Sequence, residues 1–173
     1  MSQPEVWLRG PVDGIPPSLQ PVAHSLLQCR EEVVAHVPGL TPEQLWARPG
    51  GAAAIGYHVR HAAGSLDRLF TYARGETLSP EQLAALKSEG EVDRHEDASA
   101  RLVEHFKRAI DRALEQLRDA DSSKLLDPRG VGRAQLPSTV LGLLFHAAEH
   151  AQRHMGQMAT TVKILTNTTA VTK

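Results

Sequence analysis

The most constraining feature of the sequence is a long helical pattern between residues 138 and 165. No proline interrupts it, and its apolar side chains fall within one arc of a helical wheel drawn at about 100° per residue. These side chains are Val140, Leu144, Ala151, Met155, Met158 and Val162. The pattern predicts one long helix, beginning at about Ser138, with a single apolar stripe.

Three other stretches of the chain repeat apolar residues at helical intervals. They predict long helices from Ser18 to about Val37, over residues 52–75, and from about Asp97 to Asp121. Gly75 stands where a left-handed C-cap is favoured, so the second of these helices is expected to end there.

Two short helices are predicted from a shared start signal. The stretches TPEQL, residues 41–45, and SPEQL, residues 79–83, each place a hydroxyl side chain at the N-cap, proline at the first helical position and glutamine at the third. The glutamine can return a hydrogen bond to the cap residue, which is the arrangement of a capping box.

Together these elements predict an all-α fold, an up-and-down-type four-helix bundle with short extra helices and a long loop before the last helix. The predicted loop is residues 122–138, which contain two prolines and two glycines. No segment shows the alternation typical of a strand. One domain is expected over residues 17–166, between an irregular N-terminal arm at residues 1–16 and a C-terminal tail at residues 167–173 that frays.

Charge and composition narrow the classes of function. The formal net charge is −1, so the broad basic surface that nucleic acid requires is not expected. No apolar run approaches the roughly 20 residues that span a bilayer, and the N-terminus lacks the hydrophobic stretch of a signal peptide. We therefore expect no nucleic-acid partner, no membrane partner and a cytoplasmic location. The single cysteine, Cys29, is expected to be a small buried apolar residue.

Histidines recur every four residues in the last predicted helix, at His146, His150 and His154. On the helical wheel they share one stripe with Arg153 and Gln157, directly beside the apolar arc. The histidine stripe therefore borders the face that the helix buries.

The second long helix has a similar layout. His61 and Ser65 lie on the flank of its apolar face, and His58 lies about 60° from His61 on the wheel. If the flanks of the two helices meet, His61 can join two histidines of the last helix at one ion, because imidazoles four residues apart can both reach it. Three such ligands with an open position are typical of catalytic zinc sites. On the residues alone, a metal site and a solvated polar stripe are equally supported.

Two other kinds of metal site are excluded by the spacing. Carboxylate-bridged di-iron bundles need Glu-x-x-His, but the third residue after Glu149 is Gln152. Zinc peptidases need glutamate directly after the first histidine, and the residues that follow His146 and His150 are alanines. No built-in general base is visible.

Two motifs resemble a known family. IGYHVRHAAGSLDRL at residues 55–69, followed by HAAEHAQRHMGQ at residues 146–157, is similar to the two-part motif of the DinB/YfiT-like superfamily of metal-binding four-helix bundles. The resemblance extends over essentially the whole chain, in the order of elements as well as in the motifs. It implies that His61 is the first metal ligand and that His150 and His154 are the other two.

The resemblance also implies a range of functions. Similar proteins include S-transferases that use low-molecular-weight thiols, with a divalent metal, zinc or nickel, that holds the thiol as a thiolate. A metal-dependent thiol S-transferase or related enzyme is therefore expected, with a small-molecule thiol or electrophile as partner and no catalytic side chain assigned. The alternatives are a non-enzymatic metal-binding or stress-response module and a metal-dependent hydrolase. A homodimer is also expected, because bundles of this size often pair through exposed helix faces.

Several further residues are candidates for the pocket wall or for partners of the metal ligands. His58 competes with His61 for the ligand position, and His146 is a candidate for an additional ligand. Arginines near the histidines could receive a carboxylate, or could simply be ion-paired. The full set of pocket candidates is His58, His146, Gln157, Arg153 and Ser65, with Arg60 and Arg68 as further carboxylate-binding candidates.

Overall fold

The structure, a computed structural model, describes residues 3–170, and it describes side chains up to residue 166. Six α-helices lie within this range, in agreement with the predicted all-α bundle. They are α1 (Gln20–His36), α2 (Pro42–Trp46), α3 (Ile55–Ala73), α4 (Pro80–Ser88), α5 (Ala98–Arg118) and α6 (Val140–Ala170). None of the described helices is long and apolar enough to cross a membrane.

Both short helices begin with the predicted capping box. At the start of α2, the Thr41 hydroxyl accepts a hydrogen bond from the Gln44 amide at 3.3 Å, and the Gln44 side chain accepts one from the Thr41 amide at 2.9 Å. Ser79 and Gln82 repeat this exchange at the start of α4, at 3.2 and 2.9 Å. Two amide donors that a helix start would leave unpaired are therefore satisfied at each helix.

The four long helices form one core. Helix α3 packs against α6 and α5, and α1 packs against the same two helices, so the order around the bundle is α1, α5, α3, α6. Apolar side chains from all four helices are almost fully buried between them; among the largest are Leu26, Leu66, Phe106, Ile110, Met155 and Met158. The most extensive helix contact is that of α3 with α6, the two helices that carry the histidine motifs.

A close approach between α2 and α3 explains the glycine near the start of α3. A Cβ atom on Gly56 would lie 2.8 Å from the ring of Trp46, too close for any other residue at this position. The guanidinium of Arg60, one turn further along α3, lies 4.7 Å from the centre of the same ring. Helix α2 thus fixes the position of the beginning of α3. It thereby also fixes where the histidines of α3 lie along the axis of the bundle.

The prediction that residues 122–138 form a loop without strands is wrong in part. Strands β1 (Pro128–Val131) and β2 (Leu136–Thr139) form an antiparallel hairpin just before α6. Gly132 and Gln135 turn the chain with positive φ angles of 66° and 49°. The prolines are tolerated because both strands of a two-stranded hairpin are edges, and strands of four residues are too short to show a readable alternation.

Two elements lie in the segments that the sequence predicts as an arm and a tail. A short 3-10 turn at Val6–Leu8 lies in the predicted irregular arm, and the side chain of Val6 is buried. Helix α6 continues to Ala170, four residues into the tail that was expected to fray. Residues 1–2 of the arm and 171–173 of the tail lie outside the described part of the chain.

Cys29 is buried in α1, as expected, and its thiol should be unreactive. Burial, helped by the negative charge of Glu32, raises the pKa of the thiol to about 12, so the thiolate is scarce at neutral pH. We expect Ellman's reagent to modify the native protein far more slowly than the same protein in denaturant, where one thiol per chain should react at once. Equal rates in the two states would contradict this burial.

Candidate metal centre

Three histidines from two helices meet at the α3–α6 contact. His61 comes from α3, and His150 and His154 come from α6. One ring nitrogen of each lies within 4.8 Å of a ring nitrogen of the other two, and the Nε2 atoms of His61 and His150 are 3.0 Å apart. Ligand atoms on a tetrahedral zinc ion with bonds of about 2.0–2.1 Å are about 3.3 Å apart. The spacing of the three imidazoles therefore suits a single ion.

The orientation of His61 is fixed by a carboxylate. Its Nδ1 lies 2.6 Å from Oε2 of Glu89, the residue that follows the last turn of α4. Tyr57, one turn earlier on α3, stacks on the imidazole with ring centres 5.3 Å apart and ring planes 13° from parallel. Glu89 holds the ring at its Nδ1 atom and Tyr57 holds it by stacking. In this orientation Nε2 points toward His150.

Glu89 is itself buried and held by an arginine. Its other oxygen, Oε1, accepts a hydrogen bond from Nη1 of Arg68 at 2.7 Å, and both side chains are almost excluded from solvent. Burial acts to raise the pKa of Glu89, but hydrogen bonds from His61 and Arg68, with the charge of Arg68, hold it below its ordinary value. The carboxylate is therefore ionised at neutral pH and can only accept hydrogen bonds.

The imidazole of His154 contacts that of another histidine, His58. The Nδ1 atoms of His154 and His58 are 2.9 Å apart, so one ring donates a hydrogen bond to the other. Burial and the neighbouring imidazole of His61 lower the pKa of His58. Burial, His61 and His150 lower the pKa of His154 to about 4. Both rings are therefore neutral near pH 7 and keep a lone pair.

His150 lies between the other histidines of the site. Burial, His61 and His146 lower its pKa, so it is neutral under the same conditions. Its Nε2 faces His61, whereas its Nδ1 is buried and has no hydrogen-bond partner among the described residues. A buried nitrogen of this kind is unusual, since buried polar groups are nearly always paired.

The remaining candidates from the sequence lie at the edge of the site. His146 is exposed, although its ring centre is only 5.5 Å from that of His150, and its Nδ1 lies 3.4 Å from a carboxylate oxygen of Glu149. Arg153 is exposed and ion-paired with the same Glu149. Gln157 is exposed on the next turn of α6, and Ser65 is buried on α3 one turn after His61.

The arginines near the histidines are engaged with the protein. Arg68 binds Glu89, and Nη1 of Arg60 donates to the backbone carbonyls of Ser88 and Glu91 at 3.1 and 2.6 Å. Their first role is therefore to attach the segment after α4 to α3. The sequence interpretation left this open, and it did not anticipate Glu89, which stands in an acidic stretch with no helical or motif spacing to the histidines.

The fold and the site together define a class: a four-helix bundle with a three-histidine cluster suited to a metal ion. A family model described as the DinB superfamily matches residues 25–158, a span that includes all three histidines. The chain belongs to the DinB superfamily. No curated protein matches the chain with significance.

Protonation of the cluster should destabilise the metal-free protein. An unfolded histidine has a pKa of about 6.5, whereas folding lowers that of His154 to about 4, so protons bind the unfolded chain more readily. Stability is therefore present above about pH 6.5 and is lost as the pH falls toward 4. Denaturant unfolding in the presence of a chelator, repeated across this range, measures the effect.

The matched variants for this experiment are His154→Gln and His146→Gln. The first should reduce the pH dependence of the free energy of unfolding, because it removes the histidine whose pKa is lowered to about 4. The second changes an exposed ring and should leave most of the dependence in place. If the free energy of unfolding of both variants depended on pH as strongly as that of the unmodified protein, the assignment of the effect to His154 would be wrong.

Proposed function

We propose that the protein binds one divalent metal ion, zinc or nickel, through His61, His150 and His154, and that it is an enzyme that uses this ion to activate a small thiol. The observation that carries the proposal is the meeting of three imidazoles from α3 and α6, with one ring nitrogen of each within 4.8 Å of the other two. Imidazole is a good ligand for zinc and nickel. Membership of the DinB superfamily supports a metal site at this position.

The charges around the cluster favour a cation. Burial and the neighbouring imidazoles lower the pKa of His150 and of His154, so both rings are neutral at neutral pH and each keeps a lone pair. The nearest carboxylate, Glu89, touches His61 on the side away from His150 and is ionised. A carboxylate behind a ligating histidine is the usual outer partner in metal sites, because it raises the basicity of the ligand.

The same arrangement favours thiol activation over hydrolysis. A cation bound by three imidazoles keeps a position open and would lower the pKa of a thiol placed there, which supplies a thiolate near neutral pH. Hydrolysis would need a general base beside the open position. Glu89 is occupied by His61 and Arg68, and Glu149 is ion-paired with Arg153, so neither carboxylate is free for that role.

The thiol has to come from outside the chain. Cys29 is the single cysteine of the sequence, and it is buried in α1 with a pKa of about 12. A nucleophilic sulfur at the histidine cluster would therefore come from another molecule, for which we propose a small thiol. The protein itself would position that thiol and its electrophile at the α3–α6 contact, with His58 and Glu89 keeping the imidazoles in place.

Metal analysis tests the centre directly. We expect about one equivalent of zinc or nickel per chain in the unmodified protein. His61→Ala, His150→Ala and His154→Ala should each weaken binding by more than the roughly 10–100-fold that the loss of an outer hydrogen-bond partner costs. His146→Ala is the matched control, since this exposed histidine lies on the same stripe of α6 and should leave the stoichiometry unchanged.

A different pattern of loss would contradict this ligand set. Loss of metal from His146→Ala with full retention by His61→Ala would move the site to the exposed end of the stripe. His58→Ala should give an intermediate result, because His58 contacts His154 but is not part of the three-histidine group. Absence of metal affinity in the unmodified protein would overturn the proposal.

Thiol access to the metal separates an enzyme from a metal-binding module. We expect the cobalt-substituted protein to develop a thiolate-to-cobalt absorption band in the near ultraviolet when a small monothiol is added. The matched alcohol should give no such band, because it lacks the thiolate. If the spectrum shows that neither thiol nor water enters the coordination sphere of cobalt, that sphere is closed. The protein would then be a non-enzymatic metal-binding module.

A further inference from the structure

We propose that Glu89 is the positioning residue of the metal centre: it fixes the proton of His61 on Nδ1, so that the lone pair on Nε2 faces His150 and His154. The inference rests on the proposed function, because it assigns a role toward the metal. It also concerns a property of the metal-free chain, the tautomer of His61, which can be measured on its own.

The hydrogen bonds of Glu89 determine where the proton of His61 lies. An ionised carboxylate accepts hydrogen bonds and donates none. The 2.6 Å contact between Oε2 of Glu89 and Nδ1 of His61 therefore requires a proton on Nδ1. When the imidazole carries a single proton, that proton is on Nδ1, and Nε2 of His61 keeps its lone pair at 3.0 Å from Nε2 of His150.

The position of Glu89 is fixed from its other side. Arg68 donates to Oε1 at 2.7 Å, and an arginine is always protonated. Gly64 makes room for this pair on α3: a Cβ atom there would lie 2.6 Å from Oε1 of Glu89 and 2.8 Å from Nη1 of Arg68. A Cβ atom at residue 64 would therefore displace the two side chains, whereas glycine leaves the carboxylate in place between Arg68 and the imidazole of His61.

Glu89, the C-cap residue of α4, is buried, although α4 itself is largely exposed. No residue of α4 is buried, whereas Glu89 is 4% exposed. Hydrogen bonds also attach this helix and the residues after it to α3: Nε2 of Gln82 donates to Asp67 and Thr71 at 2.6 and 2.9 Å, and Arg60 donates to the backbone carbonyl of Glu91. The orientation of His61 is therefore set by a segment that is itself attached through hydrogen bonds and ion pairs.

A purely structural role would be to neutralise the buried charge of Arg68. The substitution Glu89→Gln separates the two roles, because it keeps the size of the side chain and one acceptor. Arg68 can only donate, so the amide oxygen must turn toward it. The amide nitrogen then donates to Nδ1 of His61 and forces the proton onto Nε2. Glu91→Gln is the matched control, since Glu91 is an exposed glutamate of the same segment.

The tautomer can be read from the metal-free protein. Nitrogen-15 spectra of histidine-labelled protein at a pH of about 8, where imidazole is ordinarily neutral, should show His61 protonated on Nδ1. The same should hold for Glu91→Gln, whereas Glu89→Gln should show protonation on Nε2. A wild-type spectrum with the proton on Nε2 would overturn the inference without recourse to any variant.

Metal affinity gives the second readout. Chelator competition should show Glu89→Gln weakened by about 10–100-fold, the usual cost of losing an outer partner of a ligand, while Glu91→Gln binds as the unmodified protein does. Gly64→Ala should also weaken binding, because it displaces Glu89 without altering any ligand. Unchanged affinity in folded Glu89→Gln would refute the positioning role and leave the metal centre intact. Lack of metal binding by the unmodified protein would refute the centre itself.

Discussion

The packing of α3 against α6 is the contact on which the rest of the site depends. Neither helix alone carries all three histidines of the cluster, because His61 lies 89 residues before His150 in the sequence. Alanines are buried on both helices, and side chains this small permit close packing of helix backbones. They are Ala62, Ala63, Ala147, Ala148 and Ala151. Rigid helices joined in this way hold the imidazoles more firmly than loops would.

The electrostatics of the site follow from that convergence. Imidazoles that share one partly buried space repel any proton that one of them takes up, and burial adds to the effect, so the pKa values of His58, His150 and His154 are all lowered. The compensating negative charge is on Glu89, behind His61 rather than between the rings. The cluster therefore disfavours protons and presents lone pairs, which is the state that a metal ion requires.

Most of the fold and the three histidines could be predicted from the sequence because their signals are local. Helical periodicity and capping residues act over a few positions, and a histidine stripe next to an apolar stripe has to border a helix contact. The hairpin before α6 and the role of Glu89 could not be predicted. Four-residue strands carry too little pattern, and Glu89 reaches His61 only through the docking of α4, which depends on Gln82 and Arg60 rather than on an apolar stripe.

That dependence on polar docking connects α4 to the histidine cluster. If metal binding requires the lone pair on Nε2 of His61, it favours the state in which Glu89 is in place, and Glu89 is in place only when the end of α4 lies against α3. Such coupling is reciprocal, so a bound ion would stabilise the docked α4 by the same free energy with which docking strengthens the binding of the ion. The bound ion would then stabilise the attachment of α4, although α4 has no buried residue of its own and does not contact the ion.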